Sequence, residues 1–405
     1  MLQDISYKDY RRSDDIHGTV LYPAVMVAPV QKDVLIDLST QDEIRSVLDP
    51  FHGSGTALYE SNLVFPKAKI YGCDINPFAN LITKVKLAGV SDQIQQNIEE
   101  LSLQINNDTG TDLYNFPNRT KWFRDDIARS LTKIRNAVIQ VDNKLDRLFF
   151  WCMMGDVIRR YSNSRSSTYK LHKKPQKKIA DMEDNVIRDF LHSIRGNYEK
   201  FQNVHCNNAT LFKQDLLGCL PRFRDNKVDL LITSPPYGDN NTTVPYGLFS
   251  SLALKWIDAK DLELEGWELD SYSVIDSHSL GNGHTDITLD KMQMGLLSEH
   301  LDQISTRKAI KVKKFFHAYF ECLDLFTEIV DKYIVLTLGN RTVDGVKINL
   351  ANISQQYLAA KGFIEYQTAS RTILNKRTPS LTSRVNDQPV KSMDKEYILI
   401  YKKEN

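Results

Sequence analysis

The feature that most constrains this chain is an apolar run, Ser46 to Phe51, that stops in a turn holding Gly53 and Gly55 and leads into a helix-like stretch, ALYESNLVF. A second apolar run, AKIYGCD, then ends at Asp74. Short apolar runs bounded by glycine turns and separated by a helical pattern read as strand, turn, helix, strand, the opening of a parallel α/β sheet. The same punctuation returns in NATLFKQDLL and VDLLITSPPYG. It finishes with KYIVLTLGN, a helix around Ile353 to Lys361, and the runs GFIEYQTASRTI and EYILIYKK, which read as an antiparallel closing pair. The expected fold class is therefore α/β, a doubly wound and mostly parallel sheet with an antiparallel closing strand.

Between about Val90 and Asn203 this punctuation disappears, and long charged helical stretches such as QIQQNIEELSLQI and DNVIRDFLHSIRGNYEKF take over. The expected division is a first part of the sheet domain over 1–90, an inserted helical subdomain over 91–204, and the rest of the sheet domain over 205–405. Within the last part, 240–305 has no clean period and is a candidate recognition segment. A chain of 405 residues exceeds one average domain, which accommodates such insertions. Five scattered cysteines, odd in number and with no Cys-x-x-Cys pair, argue against a disulfide framework and against a zinc site. No metal is expected, and a reducing cytoplasm is. The first residues have no apolar signal region, and no run approaches about 18 uninterrupted apolar residues, so neither secretion nor a membrane partner is expected.

The glycine turn carries the first chemical hint. Gly53 and Gly55 let a ligand lie against the backbone at the mouth of the sheet. A dinucleotide fingerprint would place a third small residue where Leu58 stands, so pyrophosphate is disfavoured. Asp49, beside the loop, suits an amino-bearing or cationic ligand; S-adenosylmethionine has both an ammonium and a sulfonium. Asp74, nineteen positions after Gly55, ends the second strand, where an acid in such folds meets ribose hydroxyls. Asp215 follows the third strand-like run and is a candidate acceptor for an adenine amino group. Any one such Asp equally suits a helix cap; three ending successive strands make a set. The sharpest signal is Ser234-Pro235-Pro236-Tyr237 at the end of an apolar strand. Two prolines give up backbone donors and fix an extended turn whose carbonyls are free to face a substrate.

These motifs resemble those of the amino-methyltransferases, which act on exocyclic nitrogens of DNA bases. The family's cofactor loop, Asp-Pro-Phe-x-Gly-x-Gly-Thr, matches Asp49 to Thr56, and its catalytic (Ser/Asp/Asn)-Pro-Pro-(Tyr/Phe) matches Ser234 to Tyr237. The segment Tyr22 to Val30 looks like the family's helix that closes over the methionine end of the cofactor. The resemblance spans about residues 15–90 and 205–405 and leaves the helical insertion uncovered. It implies a Rossmann-like methyltransferase sheet and S-adenosylmethionine as cofactor, held by Tyr22, Pro23, Asp49, Phe51, Gly53, Gly55, Thr56, Asp74 and Asp215. Ser234, Pro235, Pro236 and Tyr237 would be the catalytic residues. Serine before the prolines resembles the cytosine-N4 enzymes; adenine-N6 enzymes more often have Asp or Asn there.

Double-stranded DNA is then the implied partner, with a separate restriction endonuclease as the companion in a restriction-modification or related defence system. A net charge of +1 means that any DNA footprint must be local. Candidate phosphate contacts are Lys173 and Lys174 in the basic stretch Arg159 to Lys178, and Lys376, Arg377 and Arg384 in NKRTPSLTSR; each stretch reads equally as a solvated loop. The competing readings are an adenine-N6 enzyme, an RNA guanine-N2 methyltransferase, and a DNA-binding protein without catalysis. Cytosine-C5 chemistry needs a cysteine nucleophile, usually after proline, and the chain has no Pro-Cys.

Overall fold

In the computed structural model, residues 5–238, 244–264, 273–278, 280, 287–373, 381–385, 388–391 and 395–404 are described. The chain begins α1 (Ala28–Ser39), β1 (Ser46–Asp49), α2 (Thr56–Val64), β2 (Lys69–Cys73), α3 (Pro77–Ala88). Next come α4 (Ile94–Asn107), α5 (Arg119–Trp122), α6 (Asp125–Ile139), α7 (Lys144–Tyr161), α8 (Gln176–Ala180) and α9 (Val186–Asn197). The sheet resumes with β3 (Ala209–Phe212), α10 (Leu216–Cys219) and β4 (Val228–Thr233). It is interrupted again by α11 (Tyr246–Trp256), α12 (Ala259–Leu262), α13 (Ser273–Ser277), α14 (Lys291–Leu301) and α15 (Thr306–Ile329). Last are β5 (Val330–Gly339), β6 (Arg341–Val343), β7 (Val346–Ile348), α16 (Leu350–Ala360), β8 (Phe363–Thr372), β9 (Leu381–Val385), β10 (Gln388–Lys391) and β11 (Lys395–Lys403).

Seven strands form one sheet in the order β3-β2-β1-β4-β5-β11-β8. The first five pair in parallel, and β11 runs antiparallel to both β5 and β8. The two C-terminal apolar runs thus close the sheet as an antiparallel pair, as expected. Parallel strands must be covered on both faces, which explains their continuous apolar runs. On one face, Val47, Ile70, Leu230, Ile232 and Val335 pack under α1 and α2 through Val34, Leu38 and Leu58. On the other, Leu48, Leu231, Ile334, Leu336 and Leu399 pack under α15 and α16 through Phe316, Phe320, Phe326 and Leu358.

The stretch between α3 and β3 carries no strand of the sheet. Its helices share a core with α3 and α11, with Ile98, Phe150, Trp151 and Phe190 packed in one cluster with Phe78, Ile82, Leu252 and Trp256. A buried carboxylate ties α7 to α12: Asp261 accepts from Arg147 at 2.9 Å and from the Trp151 indole at 2.7 Å. The chain leaves β1 for β2 and β3, then returns to place β4 on the other side of β1. That reversal opens a crevice at the carboxyl ends of β1 and β4, the usual ligand position in such sheets. Among the described residues no helix is long and apolar enough to cross a membrane.

Candidate active site

The loop after β1 is shaped by glycine. Gly53 and Gly55 have φ of 51° and 74°, in the left-handed region, and Gly55 caps the start of α2. A Cβ on Gly55 would lie 2.6 Å from the Thr83 side chain, so both conformation and space require glycine there. The loop is braced from below. Thr83 Oγ1 donates to the Gly53 carbonyl at 3.0 Å, and the buried Lys86 ammonium donates to the Ser54 carbonyl at 2.7 Å. Lys86 also faces His17 Nδ1 at 3.4 Å, and His17 Nε2 meets Glu60 Oε1 at 2.9 Å. Burial pulls the lysine down to about 7 and pushes the Glu60 carboxyl up to about 7. Nothing in the linear pattern marks this cluster, because its three members stand at residues 17, 60 and 86.

The three strand-ending acids sit on neighbouring strands, β1, β2 and β3, in different circumstances. Asp49 is fully buried. Its Oδ1 accepts from Thr233 Oγ1 at 2.6 Å and from the Phe51 amide at 3.1 Å, while its Oδ2 has no hydrogen-bond partner. Burial raises this carboxyl to about 7. Asp74 accepts from the Gly53 amide at 2.9 Å and the Asn76 amide at 2.8 Å, so it sets the loop's height above β2; burial raises it too. Asp215 is exposed and caps α10, accepting from the Gly218 amide at 2.9 Å.

Tyr22 and Pro23 are buried, and the Tyr22 ring lies near Gly53, about 3.5 Å from where a Cβ would stand. The segment Tyr22 to Val30 is not one helix as expected: α1 begins only at Ala28, after an extended Val27 and a left-handed Ala24. The Pro23-Ala24 turn delays the helix and lets the Tyr22 hydroxyl reach Asn76, whose Nδ2 donates to it at 3.1 Å. Asn76 also donates to Ser250 Oγ at 2.8 Å, and Tyr246 stacks on Tyr22 with centroids 5.9 Å apart. Asn76, Tyr246 and Ser250 thus join the pocket wall. Only the Asn-Pro at the start of α3 hints at this, through its cap geometry. Phe51 is half-buried; Thr56 is buried with Oγ1 unpartnered.

Across the crevice, the turn after β4 places Ser234 Oγ 3.0 Å from the Tyr237 hydroxyl, which also reaches the Thr337 carbonyl of β5 at 3.4 Å. Burial raises the phenol far above its ordinary range, so it stays neutral. Gln31 of α1 donates to Thr337 Oγ1 at 3.2 Å and keeps a buried Oε1 without a partner. The Asp49–Thr233 hydrogen bond joins this turn to the glycine loop. The residues present fit S-adenosylmethionine. Asp49 offers an unpartnered buried carboxylate oxygen for an ammonium, the glycines permit close approach, and Asp74 stands at the neighbouring strand end.

The basic stretch after α7 is folded rather than open. Ser164 bridges Lys173, and the Lys174 ammonium donates to the Arg160 and Ser162 carbonyls at 3.1 and 2.7 Å. Lys174 is therefore occupied capping α7, whereas Lys173 is exposed. Arg384 lies in β9 opposite Pro389. Lys376 and Arg377 lie outside the described residues, as do 239–243 and most of 265–286. Among the described residues no group of three or more His, Cys, Asp or Glu could hold a metal ion.

The sheet order, the reversed β11 and the crevice at β1 and β4 define a doubly wound, Rossmann-like α/β fold. The chain is 28% identical over 400 residues to the Type II methyltransferase M.MvaI of Kocuria varians, covering 91% of this chain and 87% of that protein. An alignment to the solved rRNA methyltransferase aviRa from Streptomyces viridochromogenes has a TM-score of 0.33 at 9% identity, over 98% of this chain and 96% of that one. No protein-family model matches the chain.

Proposed function

We propose that this protein is a DNA methyltransferase that uses S-adenosylmethionine to methylate the exocyclic amino nitrogen of a flipped base, cytosine N4 in preference to adenine N6. The observation that carries the reading is the 2.6 Å hydrogen bond between Asp49 and Thr233, which fixes the glycine loop beside the Ser-Pro-Pro-Tyr turn. Similarity along most of the chain to a Type II methyltransferase supports it. The bound cofactor supplies an electrophilic methyl group.

The chain's own residues then do the positioning. Asp49, Asp74 and the Gly53–Gly55 backbone hold the cofactor, with Tyr22, Pro23, Phe51 and Thr56 as its walls and Asp215 toward the adenine. An exocyclic amine is a poor nucleophile because its lone pair is delocalised into the ring. Hydrogen bonds from the amine to Ser234 Oγ and the Pro235 carbonyl localise that pair and aim it at the methyl, while Pro236 keeps the turn rigid and Tyr237 faces the base. Orientation of this kind supplies up to about 7 to 11 kcal/mol in the best model systems. Extruding the base costs a few kcal/mol, which contacts in the pocket must offset. Serine before the prolines favours cytosine. The biological setting we infer is restriction-modification with a separate endonuclease.

The test is transfer of labelled methyl from S-adenosylmethionine to unmethylated genomic DNA, digestion to nucleosides and identification by mass, with Ser234→Ala and total tRNA as controls. N4-methylcytosine that falls about a hundredfold or more in the variant supports the reading. N6-methyladenine corrects the base alone. Label only in tRNA overturns the substrate, and cofactor binding without transfer to any nucleic acid points to a binding protein.

A further inference from the structure

We propose that the exposed cationic face at the start of α15 is a rail for the phosphodiester backbone of duplex DNA while a base occupies the Ser234 turn; this rests on the DNA reading above. The segment TRKAIKVKK places Arg307, Lys308, Lys311, Lys313 and Lys314 in the first three turns of the helix. Arg307, Lys311 and Lys314 fall at i, i+4 and i+7, on one face, and Lys308 adjoins Lys311 at i+3. Arg307, Lys308 and Lys311 are exposed.

None of the five forms an ion pair with a described residue. Several other basic side chains around the fold are neutralised by acids. Glu263 alone binds Lys84, Lys144 and Lys213, and Lys332 and Lys402 pair with Asp229 and Asp42. Asp344 feels the Lys308 charge but is engaged by Ser305. With 52 basic and 51 acidic residues in all, a cluster of unneutralised like charges on one helix is self-repulsive, and a polyanion relieves it.

The position fits the chemistry. Helix α15 passes directly into β5, which lies parallel to β4, so the first turns of α15 lie at the carboxyl ends of the strands. Its 24 residues span about 36 Å, close to the length of the ten-residue β5. Contacts lead from there to the catalytic turn. Ser305 Oγ donates to Asp344 at 2.6 Å, and Asp344 with Gly345 makes the tight turn between β6 and β7. Arg341, which opens β6, lies so close to Gly238 that a Cβ there would stand 2.5 Å from its Nη1. The face from Arg307 to Lys314 covers about 10 Å, the axial rise of about three phosphates of one strand.

The test is fluorescence anisotropy of the full chain on duplex oligonucleotides across a potassium chloride series. K308Q/K311Q is compared with wild type and with K67Q/K69Q, whose exposed lysines lie at the opposite, amino-terminal rim around the start of β2. We expect K308Q/K311Q to weaken binding alike across sequences and to flatten the salt slope by about one per lost contact. Cofactor affinity and thermal unfolding should be unchanged, and K67Q/K69Q should match wild type. An unchanged slope in a protein that methylates duplex DNA, or an equal loss in K67Q/K69Q, overturns the rail and leaves the methylation reading standing. A wild type that binds and methylates RNA but not duplex DNA overturns both.

Discussion

The two sides of the crevice are built differently. On the β1–β2 side the polar groups come from two short stretches, Asp49 to Thr56 and Asp74 to Asn80, and backbone amides of these stretches donate to Asp49 and Asp74. On the β4–β5 side, Tyr237 bonds Thr337 of β5, which Gln31 of α1 also bonds, and Arg341 of β6 lies against Gly238, residues far apart in the chain. The first side starts from local backbone geometry and is then tied to Thr233, Thr83 and Lys86; the second is assembled by strand register and helix docking throughout. If the first side holds the cofactor, as proposed above, it stays fixed when the rest of the rim changes and the second side sets the base.

Asp49→Asn probes the first side most severely. The cofactor's ammonium favours the ionised acid, and the free acid titrates at about 7. Wild-type affinity should therefore rise from about pH 6 to about pH 8 and then level off. The variant should lose that rise and bind about 10- to 100-fold more weakly at the upper end, as expected when a charged hydrogen bond is lost. Calorimetric titration with S-adenosylmethionine reads both; a variant with the wild-type pH profile would remove Asp49 from the cofactor.

Lys86→Met tests whether the buried cluster braces the loop. Leaving the Ser54 carbonyl unsatisfied costs about 1 to 3 kcal/mol, partly offset by removing a buried amine. Because the folded lysine titrates at about 7, well below its ordinary value, the wild type loses stability as pH falls toward 7 and the methionine does not. Urea unfolding should therefore show a gap that widens from about pH 7 to about pH 9, alongside a raised KM for the cofactor.

The smallest effect is expected on the β4–β5 side. Gln31→Met removes one hydrogen bond to Thr337 and one unpartnered oxygen together, so its stability cost should stay under about 1.5 kcal/mol. If β5 positions the Tyr237 hydroxyl, kcat for methyl transfer should fall severalfold with cofactor affinity unchanged. A fall in cofactor affinity instead would erase the distinction between the two sides.

The sheet was legible from the chain because parallel strands buried on both faces leave continuous apolar runs, and the runs ending at Asp49, Asp74 and Thr233 correspond to β1, β2 and β4. The glycine loop was legible because its backbone geometry is written in adjacent residues. The helix that the resemblance implies over Tyr22 to Val30 is shorter than expected, because the Pro23-Ala24 turn holds the first part extended. Lys174 looked like a surface cation until the fold brought the end of α7 against it.

What the chain decides by itself, then, is local: strand ends, turns and caps, whose energies depend on neighbours in sequence. The pairing of Asp49 with Thr233, the His17–Glu60–Lys86 cluster, the Asn76 hub and the rim position of the α15 cations are tertiary, because each joins residues whose separation no periodicity encodes. A buried carboxylate or ammonium is stable only with partners brought to it from elsewhere, and those partners are chosen by the strand order and the packing of helices on the sheet.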